Sequence, residues 1–157
     1  MRLIKLKTRA VKLLALVVFS TAFSSFSGKM GGDSFEIYIN KKLVVQQFVS
    51  QSSAVKSFQL DASNANSEID IYYRHCGLTG KSRNIIVKDG ENHLLKEWHF
   101  SDASGSNTSM TCRVKDLLNF GKIKGISKLN LYYSSKEMPK ERLLAAVLLN
   151  TDNKVTP

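Results

Sequence analysis

Short segments in which apolar and polar residues alternate recur along most of this chain, and this two-residue period constrains its fold more than any other feature. In the first of them, Phe35, Ile37 and Ile39 alternate with more polar residues. Such alternation is typical of a β-strand with one face in a core and the other in solvent. Similar segments are expected at 43–50, 54–60, 68–74, 84–88, 94–100, 110–114 and 129–133.

The number and spacing of these segments predict an all-β protein, an antiparallel β-sandwich of seven to eight strands. The run Arg142–Leu149 fits either a helix or a strand buried on both faces, and we favour a strand because the other elements are strands that need partners. Residues 116–120 are expected to form one helical turn that ends at Gly121. In the segment 94–100 we expect Leu94, Trp98 and Phe100 to share the inner face.

The first 27 residues predict a secretory signal peptide that is not part of this fold. Five basic residues precede the unbroken apolar run 13–19, and a stretch rich in Ser, Ala and Phe follows it. This layout is typical of export signals, and small residues allow cleavage after Ser24 or Ser27. Since a membrane span needs about 20 apolar residues, we expect no transmembrane anchor after cleavage. The protein is then periplasmic or extracellular.

Residues 28–150 are expected to form a single domain, and residues 151–157 a flexible tail. The five basic residues of the signal account for half of the formal net charge of +10. The remaining lysines are scattered along the chain rather than collected in a stripe with aromatic residues. This distribution argues against a nucleic-acid partner.

Two cysteines, Cys76 and Cys112, predict a disulfide, because paired cysteines in exported proteins usually bond. The alternative is two free buried thiols. Together with the neighbouring His75, they do not make a closed zinc site, which needs four ligands. We expect no metal ion and no cofactor.

Four stretches stand out together: residues 32–47 (GDSFEIYINKKLVVQQ), 69–83 (IDIYYRHCGLTGKSR), 110–116 (MTCRVKD) and 129–145 (LNLYYSSKEMPKERLLA). They resemble a group of uncharacterised small exported proteins of Bacteroidota. The resemblance covers most of the chain after the signal. It implies an exported single β-domain, and it carries no activity, ligand or catalytic residue.

No catalytic residue is assigned. A Cys–His nucleophilic pair needs a free thiol facing its histidine, whereas His75 and Cys76 are adjacent and would point to opposite faces of a strand. The three histidines are expected at the surface or in turns. A glycosidase needs two carboxyl groups facing each other across a cleft, and no such pair can be singled out.

One loop combines carboxylates and amides, the oxygen ligands that calcium prefers. This weak calcium candidate consists of Asp61, Asn64, Asn66 and Glu68. The same residue types also form turns by hydrogen-bonding to their own backbone, and we favour that interpretation.

Two tyrosine pairs, Tyr72-Tyr73 and Tyr132-Tyr133, lie in predicted strands, where one ring of each pair should face the core and the other solvent. If the two strands are adjacent, the outward rings of Tyr72 and Tyr132 form a flat aromatic platform. With the nearby Arg74 and Arg83, this is the candidate ligand-binding site, suited to a sugar ring or a protein surface. The alternative is a cross-strand pair that only stabilises the sheet.

We therefore expect an exported, non-catalytic β-sandwich that acts as a binding or accessory protein of the cell envelope or extracellular space. Its partner is expected to be a glycan or an envelope protein. The alternatives are a small secreted hydrolase and a structural component of the envelope.

Overall fold

A computed structural model of the chain describes residues 32–49, 54–105 and 107–150. All of them belong to one compact unit. The predicted signal peptide and the predicted tail lie outside the described residues. None of the helices in the described ranges combines the length and apolar composition that crossing a membrane requires.

These ranges form nine strands and one α-helix, so the all-β prediction is confirmed. The nine strands correspond to the eight alternating segments and the run Arg142–Leu149, so the expected total of seven to eight strands was too low. The strands are β1 (Ser34–Ile39), β2 (Lys42–Phe48), β3 (Lys56–Leu60), β4 (Glu68–Arg74), β5 (Arg83–Lys88), β6 (Leu94–Phe100), β7 (Met110–Arg113), β8 (Lys128–Ser134) and β9 (Arg142–Leu149). The helix α1 is Val114–Lys124, and a short 3-10 helix covers Ala62–Asn64.

The strands form a four-stranded sheet in the order β2-β1-β4-β7 and a five-stranded sheet in the order β3-β9-β8-β5-β6. Neighbouring strands are antiparallel, except that β3 and β9 run parallel. The ambiguous run Arg142–Leu149 is a strand, as favoured. Residues 144–147 within it are consecutively buried, which explains its lack of alternation.

The inner faces of both sheets contribute to a single hydrophobic core. From the four-stranded sheet come Phe35 and Ile37 of β1 and Ile69, Ile71 and Tyr73 of β4; from the five-stranded sheet come Ile85 and Val87 of β5 and Leu129, Leu131 and Tyr133 of β8. Each such side chain contributes about 1.5–3 kcal/mol through removal of its apolar surface from water. The other face of each sheet carries mostly polar and partly exposed side chains, although Ile86 and Ala146 of the five-stranded sheet are buried there.

A β-bulge overturns the expectation that Leu94 shares the inner face with Trp98. The register between β5 and β6 shifts between Val87 and Lys88, so that Leu94 pairs with Lys88 and is 59% exposed. Leu95 packs against the core instead, together with Trp98. One extra residue in a strand reverses the alternation beyond it, and nothing in the residue pattern signals this insertion.

The expected helix at residues 116–120 is present, but its expected end at Gly121 is wrong, because α1 continues through Gly121 to Lys124. Gly121 is buried along with Leu117 and Leu118 on the inner side of the helix. The helix ends at Gly125, whose φ of 64° lies in the left-handed region that favours glycine. Val114, expected in a strand, begins the helix.

Candidate functional site

The outer face of the four-stranded sheet carries a row of aromatic and charged side chains. In the antiparallel pairing of β1 and β4, Glu36 lies opposite Tyr72 and Tyr38 opposite Asp70. Arg74 follows two residues after Tyr72. Because side chains alternate along a strand, all five project from the face opposite the core.

The two tyrosine rings on this face are in contact. Tyr38 and Tyr72 meet edge to face, with 5.6 Å between ring centroids and 81° between planes. The guanidinium of Arg74 lies 5.7 Å from the centroid of the Tyr72 ring, within the range of a cation–π contact. The rings are thus held by neighbours from two strands, and both remain partly exposed.

Hydrogen bonds fix the polar side chains around the rings. The carboxylate of Glu36 accepts from the hydroxyl of Tyr38 at 3.0 Å, the amide of Gln46 at 2.9 Å and the guanidinium of Arg74 at 3.1 Å. Arg74 also donates to Asn107 Oδ1 at 3.3 Å. Burial alone would raise the pKa of Glu36, but these donors, Arg74 first, outweigh it and hold the pKa below its usual value.

These side chains line a groove of about 390 Å³, which we call the outer-face groove. Its lining residues are Glu36, Tyr38, Lys41, Asp70, Tyr72, Arg74 and Asn107. Lys41 lies in the turn between β1 and β2, and within the described residues its ammonium has no hydrogen-bond or ion-pair partner. Asp70 Oδ1 accepts a hydrogen bond from Thr111 at 2.6 Å.

The predicted platform of Tyr72 and Tyr132 is not formed, because Tyr72 belongs to the four-stranded sheet and Tyr132 to the five-stranded sheet. Each ring faces outward from its own sheet, so the core lies between them. Tyr132 instead lies 5.3 Å from Lys88 Nζ. The expectation that Tyr73 and Tyr133 face the core is confirmed, since both are buried.

Arg83 is likewise not a surface residue. It lies on the inner face of β5 and is only 2% exposed. Its guanidinium donates to the carbonyl oxygens of Ser101 at 2.9 Å and Thr108 at 2.8 Å, so it holds the loop between β6 and β7. Burial lowers its pKa. Of the four predicted ligand-binding residues, only Tyr72 and Arg74 lie together.

Tyr38 is the aromatic groove residue that sequence analysis missed, and the same analysis also missed the polar lining residues Glu36, Lys41, Asp70 and Asn107. The outward position of Tyr38 follows from its place between Ile37 and Ile39. A β-sandwich has many outward side chains, however, so this position alone does not identify a binding residue. Only the pairing of β1 with β4 brings it against Tyr72. No local signal in the chain specifies that pairing.

A second polar cluster, which we call the His75 cluster, consists of Asp33, Tyr73, His75, Tyr133 and Ser135. His75 Nδ1 lies 3.2 Å from Asp33 Oδ2, and His75 Nε2 lies 3.0 Å from the Tyr133 hydroxyl and 3.2 Å from Ser135 Oγ. Tyr73 donates to Asp33 at 2.9 Å. The expectation of a surface or turn position for His75 holds only in part: His75 flanks the turn at residues 76–77, but its side chain is only 4% exposed.

Asp33, His75 and Ser135 contact one another in the order acid, histidine, serine of a catalytic triad. The surroundings of Ser135, however, differ from those of a catalytic serine. Ser135 is 4% exposed. Its backbone N–H donates to Met138 O, and that of Lys136 donates to Lys81 O. Neither N–H is therefore free to stabilise an oxyanion. The arrangement satisfies buried polar groups where the two sheets meet.

The calcium candidate loop is used for turn chemistry. Asp61 caps the 3-10 helix by accepting from the N–H of Ser63 at 2.8 Å, and Asn64 Oδ1 accepts from the N–H of Asp61 at 3.2 Å. Asn66 and Glu68 are exposed. Among the described residues, no group of three or more His, Cys, Asp or Glu side chains is placed to hold a metal ion.

The predicted disulfide is wrong, since Cys76 and Cys112 are both free. Cys112 is buried in β7 opposite Ile69, whereas Cys76 is exposed beyond Arg74, the last residue of β4. The five residue steps from Ile69 to Arg74 span about 17 Å of strand. A disulfide requires Cα atoms within about 7 Å of each other, so this register keeps the thiols apart.

Comparison with models of known protein families finds no match for this chain, and comparison with curated proteins finds none. The chemistry of the outer-face groove is therefore the basis on which a function is assigned.

Proposed function

We propose that this protein is an exported, non-catalytic β-sandwich that binds a partner of the cell envelope or extracellular space through the outer-face groove. The observation that carries the proposal is the contact between Tyr38 and Tyr72 on a face that turns away from the core. Rings held in place by hydrogen-bonded neighbours lose little conformational entropy when a ligand contacts them. Fixed, partly exposed aromatic side chains are typical of binding surfaces.

Support for export comes from the N-terminal charge and hydropathy pattern and from the resemblance to small exported proteins. Export therefore depends on the signal-like segment at residues 1–27, whose removal leaves the domain described above.

Support for a binding role rather than catalysis comes from the state of the groove's carboxylates. Glu36 accepts three hydrogen bonds, and its lowered pKa keeps it ionised at neutral pH. Asp70 accepts from Thr111. Cleavage of a glycosidic bond needs one carboxyl group that donates a proton, and Glu36 is not suited to that role.

The proposal is tested by sedimentation of the purified protein, produced from its full-length gene, with isolated envelopes of the source organism. The variant Tyr72→Ala removes the ring of the groove that contacts both Tyr38 and Arg74. Tyr132→Ala is a matched control, because it removes an outward, partly exposed ring that also lies beside a cation, on the opposite sheet. Thermal unfolding of both variants shows that each is folded.

We expect the wild type and Tyr132→Ala to sediment with envelopes and Tyr72→Ala to bind about tenfold more weakly or worse, as for an aromatic anchor of an interface. Equal sedimentation of the two folded variants would show that binding does not use the groove. Failure of the wild type to sediment would also contradict the proposal.

A further inference from the structure

We infer that the ligand of the outer-face groove is a neutral carbohydrate, an inference that rests on the proposed function. A sugar ring has a face of C–H groups and a rim of hydroxyl groups that both donate and accept hydrogen bonds. The groove offers a partner for each part. The Tyr38 and Tyr72 rings supply apolar area, and polar side chains surround them.

The charge of the groove favours a neutral ligand. Its two carboxylates, Glu36 and Asp70, balance its two cations, Lys41 and Arg74. Glu36 and Arg74 are already paired at 3.1 Å. A polyanion such as a nucleic acid would be repelled by the carboxylates, and a polycation would be repelled by Lys41 and Arg74.

Within the described residues, the groove has both hydrogen-bond donors and an acceptor that are not already paired, as a hydroxyl-rich ligand requires. Lys41 has three N–H donors and no hydrogen-bond partner within the described residues. Asp70 Oδ1 accepts from the Thr111 hydroxyl, and Asp70 Oδ2 has no hydrogen-bond partner within the described residues. A sugar hydroxyl can accept from the ammonium and donate to the carboxylate.

The size of the groove distinguishes a small ligand from a protein surface. Pockets for small molecules have volumes of about 300–1,000 Å³, and the groove has about 390 Å³. A stable protein partner needs about 800 Å² of contact on each side and a core of apolar anchors. The groove itself supplies two rings between charged groups, which suits one or a few sugar units.

The inference is tested with purified neutral and acidic oligosaccharides, first on an array and then by calorimetric titration. We expect at least one neutral oligosaccharide to bind the wild type. Its affinity should change less than about twofold between about 50 and 200 mM salt, because neutral ligands release no counterions. Tyr38→Ala and Tyr72→Ala should each weaken binding about tenfold, and Tyr132→Ala should leave it unchanged.

Two results would overturn the inference. One is binding restricted to acidic oligosaccharides with a steep salt dependence. The other is envelope binding that needs Tyr72, survives periodate oxidation of the envelope glycans and disappears after protease treatment. That second result identifies a protein partner and leaves the proposed function in place. A wild type that binds neither envelopes nor any oligosaccharide would overturn both.

Discussion

The rings of Tyr73 and Tyr133 stack face to face across the two sheets, with 4.1 Å between centroids and 10° between planes. Tyr73 comes from β4 and Tyr133 from β8, so this contact joins the four-stranded and five-stranded sheets. Both hydroxyls also have polar partners, Asp33 for Tyr73 and His75 for Tyr133. The stack thus combines apolar burial with satisfied hydrogen bonds, as buried tyrosines require.

The packing around this stack predicts the effect of a methyl group at Gly80. A Cβ atom there would lie 3.0 Å from the Tyr133 hydroxyl oxygen and 3.1 Å from Cδ of Arg83. Neither can move freely, since Tyr133 is stacked and Arg83 donates to two carbonyl groups. We expect Gly80→Ala to lower the free energy of unfolding by about 1–3 kcal/mol, measured by urea denaturation.

Gly90→Ala is the matched control for this substitution. A Cβ atom at Gly90 would meet no heavy atom within 4 Å, and its φ is not in the left-handed region. We expect its free energy of unfolding to stay within about 0.5 kcal/mol of the wild type. Equal stability of the two alanine variants would contradict the packing described for Tyr133.

The lowered pKa of Asp33 predicts that part of the stability of the fold is lost in acid. Burial alone would raise the pKa of Asp33, but the N–H of Cys76, the Tyr73 hydroxyl and His75 outweigh burial and lower it. A lowered pKa in the folded state contributes stability above the unfolded value of 3.8, and this contribution is lost as pH falls through the folded value. We therefore expect the free energy of unfolding to decrease as the pH is lowered below about 4.

The variant Asp33→Asn isolates this contribution. It should be less stable than the wild type at pH 7, and the difference should shrink as pH falls from about 4 to 2, since Asn does not titrate. Glu97→Gln is the control, because Glu97 is exposed and accepts no hydrogen bond within the described residues. A constant difference between Asp33→Asn and wild type across this pH range would contradict the role of Asp33.

The two cysteines should differ sharply in reactivity. Cys76 is exposed, whereas Cys112 is buried, and burial raises the pKa of the Cys112 thiol to about 12. Since the thiolate is the reactive form, we expect iodoacetamide to label one cysteine per native chain at pH 8 and both in urea. Cys76→Ser should abolish labelling of the native chain. A mass gain of two protons per monomer on reduction would instead reveal an intramolecular disulfide.

The residue pattern determined several features correctly, because they depend on local periodicity. Alternation identified most of the strands and assigned Tyr73 and Tyr133 to the core. The apolar run within Arg142–Leu149 fits a helix or a buried strand, and the strand was predicted correctly only because the other elements are strands that need partners. Where the period was broken locally, as at Leu95 in the bulge, the same reasoning failed.

Sheet membership and register were decided only by the tertiary structure. Tyr72 and Tyr132 occupy equivalent positions in similar segments, yet they lie in different sheets. Tyr38 reaches Tyr72, and Cys112 stays far from Cys76, because of how β4 pairs with β1 and β7. Alternation records which face of a strand is buried, but every antiparallel pairing buries the same face. The choice among pairings depends on side-chain packing between residues distant in sequence, such as the stack of Tyr73 on Tyr133.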